Sequence, residues 1–406
     1  MGKFGRTEIG HGLVFAQAAG HENGTDKRKR EMEQNTGEQI SANAPAPDAQ
    51  AARQAGEHIR KNFASDNVAP VCPEILAAIG EANVGAAPSY GADPWTAGLK
   101  ARVAEIFETD AAVFPVTTGT ASNGLALSAL CPPWGAVLCD ESAHIDNEEC
   151  GAPEFYTHGA KLRPLPSADG RIDPALLARA LNGHADRGFH LSKLSALSVT
   201  QATEWGATYS LEHLREVTDL ARGAGLGVHM DGARFSNALA HLGCSPADMT
   251  WRAGVDILSL GATKNGALAA EALIVFDPVR AVEMERRIKR AGHVWSKQRF
   301  LSAQLLAWFA DDLWLRNARN ANDMASRLAR GLLRQPGATL PYAIESNEVF
   351  VVLPEPLVQG LEQAGYDFYR WTTPPGVEGV LIRLVTRYDT TPDDIDGLLA
   401  SLSAVA

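Results

Sequence analysis

Residues 256–267 read DILSLGATKNGA and place a lysine, Lys264, directly after a short apolar run of strand length. Small residues flank Lys264 on both sides, which is an unusual setting for a lysine that only faces solvent. An amine that is partly enclosed at the end of a buried strand loses proton affinity and becomes nucleophilic. The segment therefore predicts a sheet strand whose end carries a reactive lysine.

Other apolar runs of strand length alternate with helical periods on either side of this segment. The predicted strands are Ala111–Val116, Ala136–Cys139, Ala196–Thr200, Gly227–Met230, Asp256–Leu260 and Ala272–Phe276. Strands that alternate with helices predict an α/β fold with a mostly parallel sheet covered on both faces. We expect this large domain to span residues 63–300.

The pattern changes after about residue 280. Long helices are predicted at 279–294 and 297–334, followed by strands near 349–353 and 379–386 and a last helix from residue 392. Thr391 followed by Pro392 places a capping side chain before a proline at the first helical position, which is typical of a helix start. We therefore expect a small C-terminal α+β domain over residues 301–406.

The first 62 residues differ in composition from the rest. They carry nine Lys or Arg and eight Asp or Glu, whereas the whole chain of 406 residues has a net charge of −11. Residues 21–56 contain no aromatic residue and are rich in polar and small residues. Such a segment buries too little apolar surface to offset its ordering entropy, so we expect residues 1–62 to be a disordered N-terminal extension.

Charge and cysteine usage exclude several functional classes. A net charge of −11 argues against a nucleic-acid partner or an anionic membrane surface. No apolar run approaches the roughly 18 residues needed to span a bilayer. The five cysteines form no CxxC pair, which argues against a metal site or a disulfide framework and favours a cytoplasmic protein.

Three further motifs lie at predicted strand ends of the same sheet. Residues 117–124, TTGTASNG, join a strand to a helix, and the amides at a helix N-terminus favour an anion. His144 follows the next strand, and Asp231 ends a later strand in the sequence HMDGAR. Each motif alone also fits a structural role, as a tight turn, a satisfied histidine or a helix cap. The absence of GxGxxG and of a P-loop lysine argues against a dinucleotide or a nucleoside triphosphate.

The four motifs are more specific together than singly. They supply an anion site, a flat ring, a carboxylate and an amine, all at the ends of strands in one predicted sheet. Pyridoxal 5′-phosphate requires such a set: a phosphate site, a ring-stacking partner, an acid at its pyridine nitrogen and a Schiff-base lysine.

On these residues the chain resembles the threonine aldolase family, fold-type I pyridoxal-phosphate enzymes of the β-eliminating lyase-like group. The resemblance runs from about residue 62 to the C-terminal end. Its matching stretches are NFASDN (62–67), YGADP (90–94), TGTASN (118–123), ESAH (141–144), HMDGAR (229–234), TKNG (263–266) and LIRLVT (381–386).

The resemblance assigns roles around the cofactor. It implies that Lys264 forms the Schiff base, that Gly119 and Thr120 bind the phosphate, and that His144 stacks on the pyridine ring. It further implies that Asp231 pairs with the pyridinium nitrogen.

The resemblance also implies how the substrate and a second subunit contribute. Arg383 with Ser65 is expected to hold the substrate α-carboxylate, a task suited to a guanidinium. Arg234 is expected to contact either that carboxylate or the phenolic oxygen of the cofactor. Lys297 is a candidate for the phosphate of a neighbouring subunit, and Tyr90 a candidate for substrate contact. A homodimer or homotetramer with shared active sites is implied.

One loop departs from the family pattern. Many members carry a histidine after the strand equivalent to Ala196–Thr200, whereas residues 200–205 here read TQATEW. The sequence resembles a low-specificity branch that cleaves L-threonine, L-allo-threonine and phenylserine-like amino acids to glycine and an aldehyde. His144, with Glu204 as the second candidate, is predicted to accept the hydroxyl proton. An aminotransferase, a β-eliminating lyase, a silent binding protein of the same fold and a nicotinamide oxidoreductase remain as alternatives.

Overall fold

The computed structural model describes residues 61–185, 188–373 and 376–405. Its larger sheet has seven strands in the order β1-β7-β6-β5-β4-β2-β3. The strands are β1 (Ala112–Val116), β2 (Gly135–Asp140), β3 (Lys161–Leu165), β4 (Lys193–Thr200), β5 (Gly227–Gly232), β6 (Ile257–Gly261) and β7 (Glu271–Val275). Strand β7 is antiparallel to both of its neighbours, and the other pairs are parallel. The predicted mostly parallel α/β sheet is confirmed.

Thirteen helices are assigned within the described residues. They are α1 (Pro73–Ala82), α2 (Pro94–Phe107), α3 (Gly119–Leu130), α4 (His144–Asn147), α5 (Ala152–Thr157), α6 (Pro174–Ala185), α7 (Leu211–Gly223), α8 (Phe235–Leu242), α9 (Pro278–Arg290), α10 (Arg299–Phe309), α11 (Leu313–Leu332), α12 (Glu355–Gln363) and α13 (Pro392–Val405). None of them is long and apolar enough to cross a bilayer.

The central strands read as continuous apolar runs because helices cover both faces of the sheet. All residues of β2, β5 and β7 are buried. One core lies between β4, β5 and helices such as α2 and α10, and a second lies against α3 on the other face. The sheet is therefore a rigid base for the loops at its edge.

A smaller sheet has three strands in the order β8-β10-β9, with β8 (Glu348–Leu353), β9 (Tyr369–Arg370) and β10 (Val380–Val385) all antiparallel. Its core contains side chains of α11, α12 and α13 together with Phe63. Residues 301–314 pack in the core of the larger sheet, whereas residues 325–332 pack in the core of the smaller one. The two cores thus adjoin along α11, and the predicted domain division at residue 300 stays a prediction.

Two sequence predictions need correction. The single helix predicted over 297–334 is two helices, because Asp311 and Asp312 adopt positive φ angles of 48° and 54° between them. Strand β3 has no predicted counterpart, since its burial pattern is that of a partly exposed edge. Residues 1–60 of the predicted extension lie outside the described residues. Asn62 already pairs with Asp367, so ordered contacts include the last two residues of that segment.

Candidate active site

A cavity of about 360 Å³ opens where the carboxyl ends of the parallel strands meet. Strands β1 and β6 are both antiparallel to β7, so they run in the same direction and end at this edge with β2, β4 and β5. Loops at such an edge form the usual ligand site of an open α/β sheet. The cavity is lined by Asn67, Thr117, Thr118, Gly119, Thr120, Ser122, Asn123, His144, Glu149, Thr200, Ala202, Glu204, Asp231, Ala233, Arg234, Ser259, Gly261, Thr263, Lys264 and Glu271.

The N-terminus of α3 forms one end of the cavity. Thr118 caps this helix, since its hydroxyl accepts a hydrogen bond from the Ala121 amide at 3.2 Å. The amides of Gly119 and Thr120 stand in the first turn, where no intrahelical acceptor exists. The Ser122 hydroxyl is buried and has no hydrogen-bond partner among the described residues. These donors, with the positive end of the helix dipole, suit an anion.

Asp231 is held firmly in the cavity wall near the end of β5. One carboxylate oxygen accepts from the Ala233 amide at 3.0 Å, and the other accepts from the Asn123 side-chain amide at 2.8 Å. The side chain is buried. The preceding histidine, His229, lies between Ser198 and Ser259 at 2.9 and 3.0 Å, and burial lowers its pKa to about 4. His229 is therefore a neutral core residue, whereas Asp231 lines the cavity.

His144 begins α4 just beyond β2, and acidic side chains surround its ring. Its Nδ1 lies 2.9 Å from Glu149 Oε1, and its Nε2 lies 3.5 Å from Glu148 Oε2. The hydrogen bond to Glu149 raises the pKa of His144, with Asp231 adding to the rise, while burial and Lys264 oppose it. The imidazole therefore favours its protonated form.

Lys264 lies in a short 3-10 turn, Thr263–Asn265, that follows β6. Asn265 anchors this turn, since its side chain donates to the Trp314 carbonyl at 3.2 Å and its own carbonyl accepts from Asn317 at 2.9 Å. Gly261 allows the close approach of β6 to the loop after β5, because a Cβ there would lie 2.7 Å from the Ala233 carbonyl oxygen. The backbone that carries Lys264 is thereby held against the sheet.

Glu204 is buried in the loop after β4. Its Oε1 accepts from the His144 amide and from the Thr200 hydroxyl, both at 2.9 Å. Its Oε2 is buried and has no hydrogen-bond partner among the described residues. Burial raises the pKa of Glu204 to about 7, and the nearby Asp231 adds to the rise. A carboxyl group with this pKa exchanges a proton near neutral pH.

Two arginines continue the site beyond the cavity toward the small sheet. Arg234 donates to both carboxylate oxygens of Asp66, at 2.8 and 3.0 Å. Glu348 lies between the two guanidinium groups, 3.5 Å from Arg234 and 3.5 Å from Arg383. Burial opposes ionisation of Asp66, but Arg234 and Lys264 outweigh it and hold the pKa of that carboxyl below its ordinary value.

The structure brings six of the predicted site residues to one cavity. These residues are Gly119, Thr120, His144, Asp231, Arg234 and Lys264. Ser65, Tyr90, Lys297 and Arg383 do not line it. Arg383 donates to the carbonyl of Ala64 at 3.3 Å. It therefore lies near Ser65, the neighbour of Ala64, as the predicted joint binding of a substrate carboxylate requires.

Tyr90 and Lys297 belong to a different surface region. Tyr90 is 58% exposed, and its amide donates to the carbonyl of Ser296, the neighbour of Lys297. The ring of Tyr90 also lies under the Lys289 amine at 4.8 Å. Tyr90 and Lys297 are therefore both exposed, and neither lines the cavity.

Sequence reasoning missed several residues of the site. Asn123 stands inside the motif predicted to bind a phosphate, but nothing in the pattern assigns its side chain to Asp231. Glu149 and Glu348 are carboxylates in ordinary sequence surroundings, and Asp66 stands in the matching stretch NFASDN without an assigned role. Only the fold brings these carboxylates against His144 and Arg234. Among the described residues, no group of three or more His, Cys, Asp or Glu side chains is placed to hold a metal ion.

The sequence model of the beta-eliminating lyase family matches residues 62–355. The chain is 40% identical over 345 residues to a low specificity L-threonine aldolase of a Pseudomonas species, covering 85% of this chain and 98% of that protein. The chain belongs to the threonine aldolase family. A low specificity L-threonine aldolase of Pseudomonas aeruginosa is 41% identical over the same share of both chains. The solved structure of Leishmania major threonine aldolase has a TM-score of 0.79 and 27% identity, covering 85% of this chain and 99% of that one.

The residues that line the cavity match the chemical groups of pyridoxal 5′-phosphate, the cofactor of this family. The first-turn amides and the orphaned Ser122 hydroxyl suit a phosphate. A buried carboxylate, an imidazole and an amine line the same space. The donor set therefore fits this cofactor, both in charge and in chemical type.

Proposed function

We propose that this protein is an aldehyde-lyase that cleaves β-hydroxy-α-amino acids, L-threonine first among them, to glycine and an aldehyde. The observation that carries the proposal is the convergence of Lys264, Asp231, His144 and the α3 N-terminus on one cavity. The near full-length similarity to two low specificity L-threonine aldolases supports the same reaction. L-allo-threonine and phenylserine belong to the proposed substrate range.

The proposed cofactor is pyridoxal 5′-phosphate. Gly119 and Thr120 would hold its phosphate, His144 its ring face, Asp231 its pyridine nitrogen and Lys264 its aldehyde carbon. When bound, the cofactor supplies an electron sink for the pair left on Cα as the Cα–Cβ bond breaks. Asp231 suits its role because two hydrogen bonds fix its carboxylate in the cavity wall.

Arg383 and Ser65 are proposed to bind the substrate α-carboxylate, with Arg234 beside them. Support comes from the contact of Arg383 with the Ala64 carbonyl and from the Glu348 carboxylate, which lies between both arginines. Fixing the carboxylate decides which bond of Cα stands perpendicular to the cofactor ring, and so decides which bond breaks.

Glu204 is proposed to accept the proton of the β-hydroxyl group, in preference to His144. Both ring nitrogens of His144 already face carboxylates, Nδ1 toward Glu149 and Nε2 toward Glu148. Glu204 has a buried oxygen in the cavity wall with no hydrogen-bond partner among the described residues, and its pKa is about 7. A carboxyl group with a pKa near neutrality suits a general base at that pH.

A cytoplasmic homo-oligomer with shared active sites is proposed. The outward position of Tyr90 and of the loop that carries Lys297 supports a role toward a second copy of the chain. The five cysteines are free, in keeping with a reducing compartment. A homodimer is the smallest assembly that meets the proposal.

A substrate panel tests the proposed reaction. Purified protein with added pyridoxal 5′-phosphate would be assayed with L- and D-threonine, both allo isomers, phenylserine and serine. Glycine and the matching aldehyde from the L isomers, without a keto acid, are the expected products. An aminotransferase would yield a keto acid from the amino acid, and a β-eliminating lyase would release ammonia, so either outcome contradicts the proposal.

A further inference from the structure

We propose that Asn123 and Glu149 are positioning residues that join His144 and Asp231 into one hydrogen-bonded unit on the cavity wall. The inference rests on the proposed function, because His144 and Asp231 are the groups assigned there to the cofactor ring and its nitrogen. Neither Asn123 nor Glu149 is itself proposed to touch the reacting atoms.

Asn123 bridges two carboxylates with a single amide group. Its Nδ2 lies 2.8 Å from Glu149 Oε1 and 2.8 Å from Asp231 Oδ2. A primary amide has two N–H donors, and both are used here. Two buried carboxylates that approach each other repel, and the amide between them gives each one a hydrogen-bond donor.

Glu149 carries the connection on to His144. Its side chain is fully buried, and its Oε1 lies 2.9 Å from His144 Nδ1. This hydrogen bond raises the pKa of His144. The contact also fixes which ring nitrogen faces Glu149 and therefore the orientation of the ring.

The charged groups around His144 come from four parts of the fold. Glu148 and Glu149 follow α4, Glu204 accepts from the His144 amide, Asp231 stands on β5, and Lys264 lies beyond β6. Of these groups, Glu149 has the largest effect on the imidazole, and Lys264 acts against it. Loss of Glu149 therefore removes the largest cause of the raised pKa of His144.

The hydrogen-bonded unit of Asn123, Glu149, His144 and Asp231 leaves two buried atoms without partners among the described residues. Residues that served only to stabilise the fold would not be expected to leave buried polar atoms unpaired. Asn123 Oδ1 and Glu149 Oε2 have no hydrogen-bond partner among the described residues. A buried polar atom without a partner is destabilising. Such groups are typical of a site where positioning outweighs stability.

The first test is an NMR titration of His144 in full-length Glu149→Gln, with and without added pyridoxal 5′-phosphate. The pKa of His144 is expected to fall to its ordinary value of about 6.5 or below. Glu154→Gln is the matched control, because Glu154 lies five residues further on and does not line the cavity. An unchanged His144 titration in Glu149→Gln would overturn the proposal.

The second test measures the dissociation constant of pyridoxal 5′-phosphate in Asn123→Ala. We expect a constant at least tenfold higher than in wild type, because Asp231 and Glu149 lose the amide between them. Asn237→Ala is the control, since Asn237 is a buried asparagine whose amide bonds to Asn322 at 2.9 Å, outside the cavity. Equal constants in both variants would refute the role of Asn123. The titration does not depend on threonine cleavage, so failure of the proposed function remains distinguishable.

Discussion

Glu204 and His144 are in contact, and their surroundings raise the pKa of both groups. The amide of His144 donates to Glu204, while the ring of His144 bonds to Glu149. Burial raises the pKa of Glu204 to about 7, so this carboxyl group gives up its proton as the pH rises through neutrality. Glu204 also has a buried oxygen without a partner among the described residues, so we assign the proposed base to Glu204.

Glu204→Gln tests this assignment. We expect kcat for L-threonine to fall about 10²–10⁴-fold at neutral pH, the usual contribution of a positioned base. In wild type, kcat is expected to rise with pH through about 7, because the base acts only when ionised. That rising limb is expected to vanish in Glu204→Gln, as measured by a pH–rate profile.

An exposed carboxylate gives the matched control. Glu212→Gln on α7 changes the same chemical group outside the cavity and is expected to keep the wild-type profile. A rising limb that persists in Glu204→Gln but disappears in His144→Ala would assign the base to His144 instead.

At the residue scale, the sequence predicted side chains whose position follows from a strand end. Lys264, Asp231 and His144 each come just after or at the end of an apolar run, so the topology alone brings them to one edge. Asn123, Glu149 and Glu348 depend on side-chain contacts between distant parts of the chain, which no local pattern encodes.

Among the elements, the junction of β6 with the loop after β5 controls where Lys264 stands. A Cβ added at Gly261 would lie 2.7 Å from the Ala233 oxygen and 2.8 Å from its Cα, both of which are backbone atoms. Gly261→Ala therefore forces the two segments apart. We expect a lower melting temperature and at least tenfold weaker binding of pyridoxal 5′-phosphate, as measured by thermal unfolding and spectral titration.

A helical glycine provides the comparison. Gly80 lies within α1, and a Cβ there has no atom within 4 Å. Gly80→Ala is expected to leave cofactor binding unchanged and to stabilise the protein by about 0.5–1 kcal/mol. Wild-type stability and binding in Gly261→Ala would contradict the close approach at this junction.

The sequence predicts which strands and helices exist more readily than it predicts where each one begins and ends. The six predicted strands of the large sheet are all present, because strands that are largely buried read as apolar runs. The break between α10 and α11 was missed, since Asp311 and Asp312 adopt left-handed conformations that no glycine or proline signals. Edge strand β3 was missed because its side chains are mostly not buried.

For the molecule as a whole, the proposal predicts a site that needs two copies of the chain. Lys297 and Lys264 are expected to act in the same site but to come from different subunits. Neither Lys297→Ala nor Lys264→Ala alone should cleave L-threonine efficiently. When the two variants are unfolded, mixed and refolded together, activity is expected to return, because mixed dimers contain one site with both lysines.

Each variant refolded by itself is the control and is expected to stay inactive. Light scattering on the same samples gives the assembly size. A monomer in solution, or no recovery in the mixture, would contradict the shared site.

The acidic net charge of the whole molecule is compatible with an anionic ligand in the cavity. The net charge of −11 does not hinder an anionic cofactor, because exposed charges beyond about 10 Å are screened by salt. Helix α3 and Lys264 lie at the cavity itself. The proposed roles of Tyr90 and Lys297, by contrast, require a second copy of the chain.

The most direct measurement is the product balance from L-threonine in wild type and in Lys264→Ala, both with pyridoxal 5′-phosphate added. In wild type, glycine and acetaldehyde are expected in equal amounts, with a visible absorption band from the lysine-bound cofactor. In Lys264→Ala, that band is expected to be absent and turnover lost. A wild-type protein that releases ammonia or a keto acid in place of glycine, or a Lys264→Ala variant with undiminished turnover, would contradict the account.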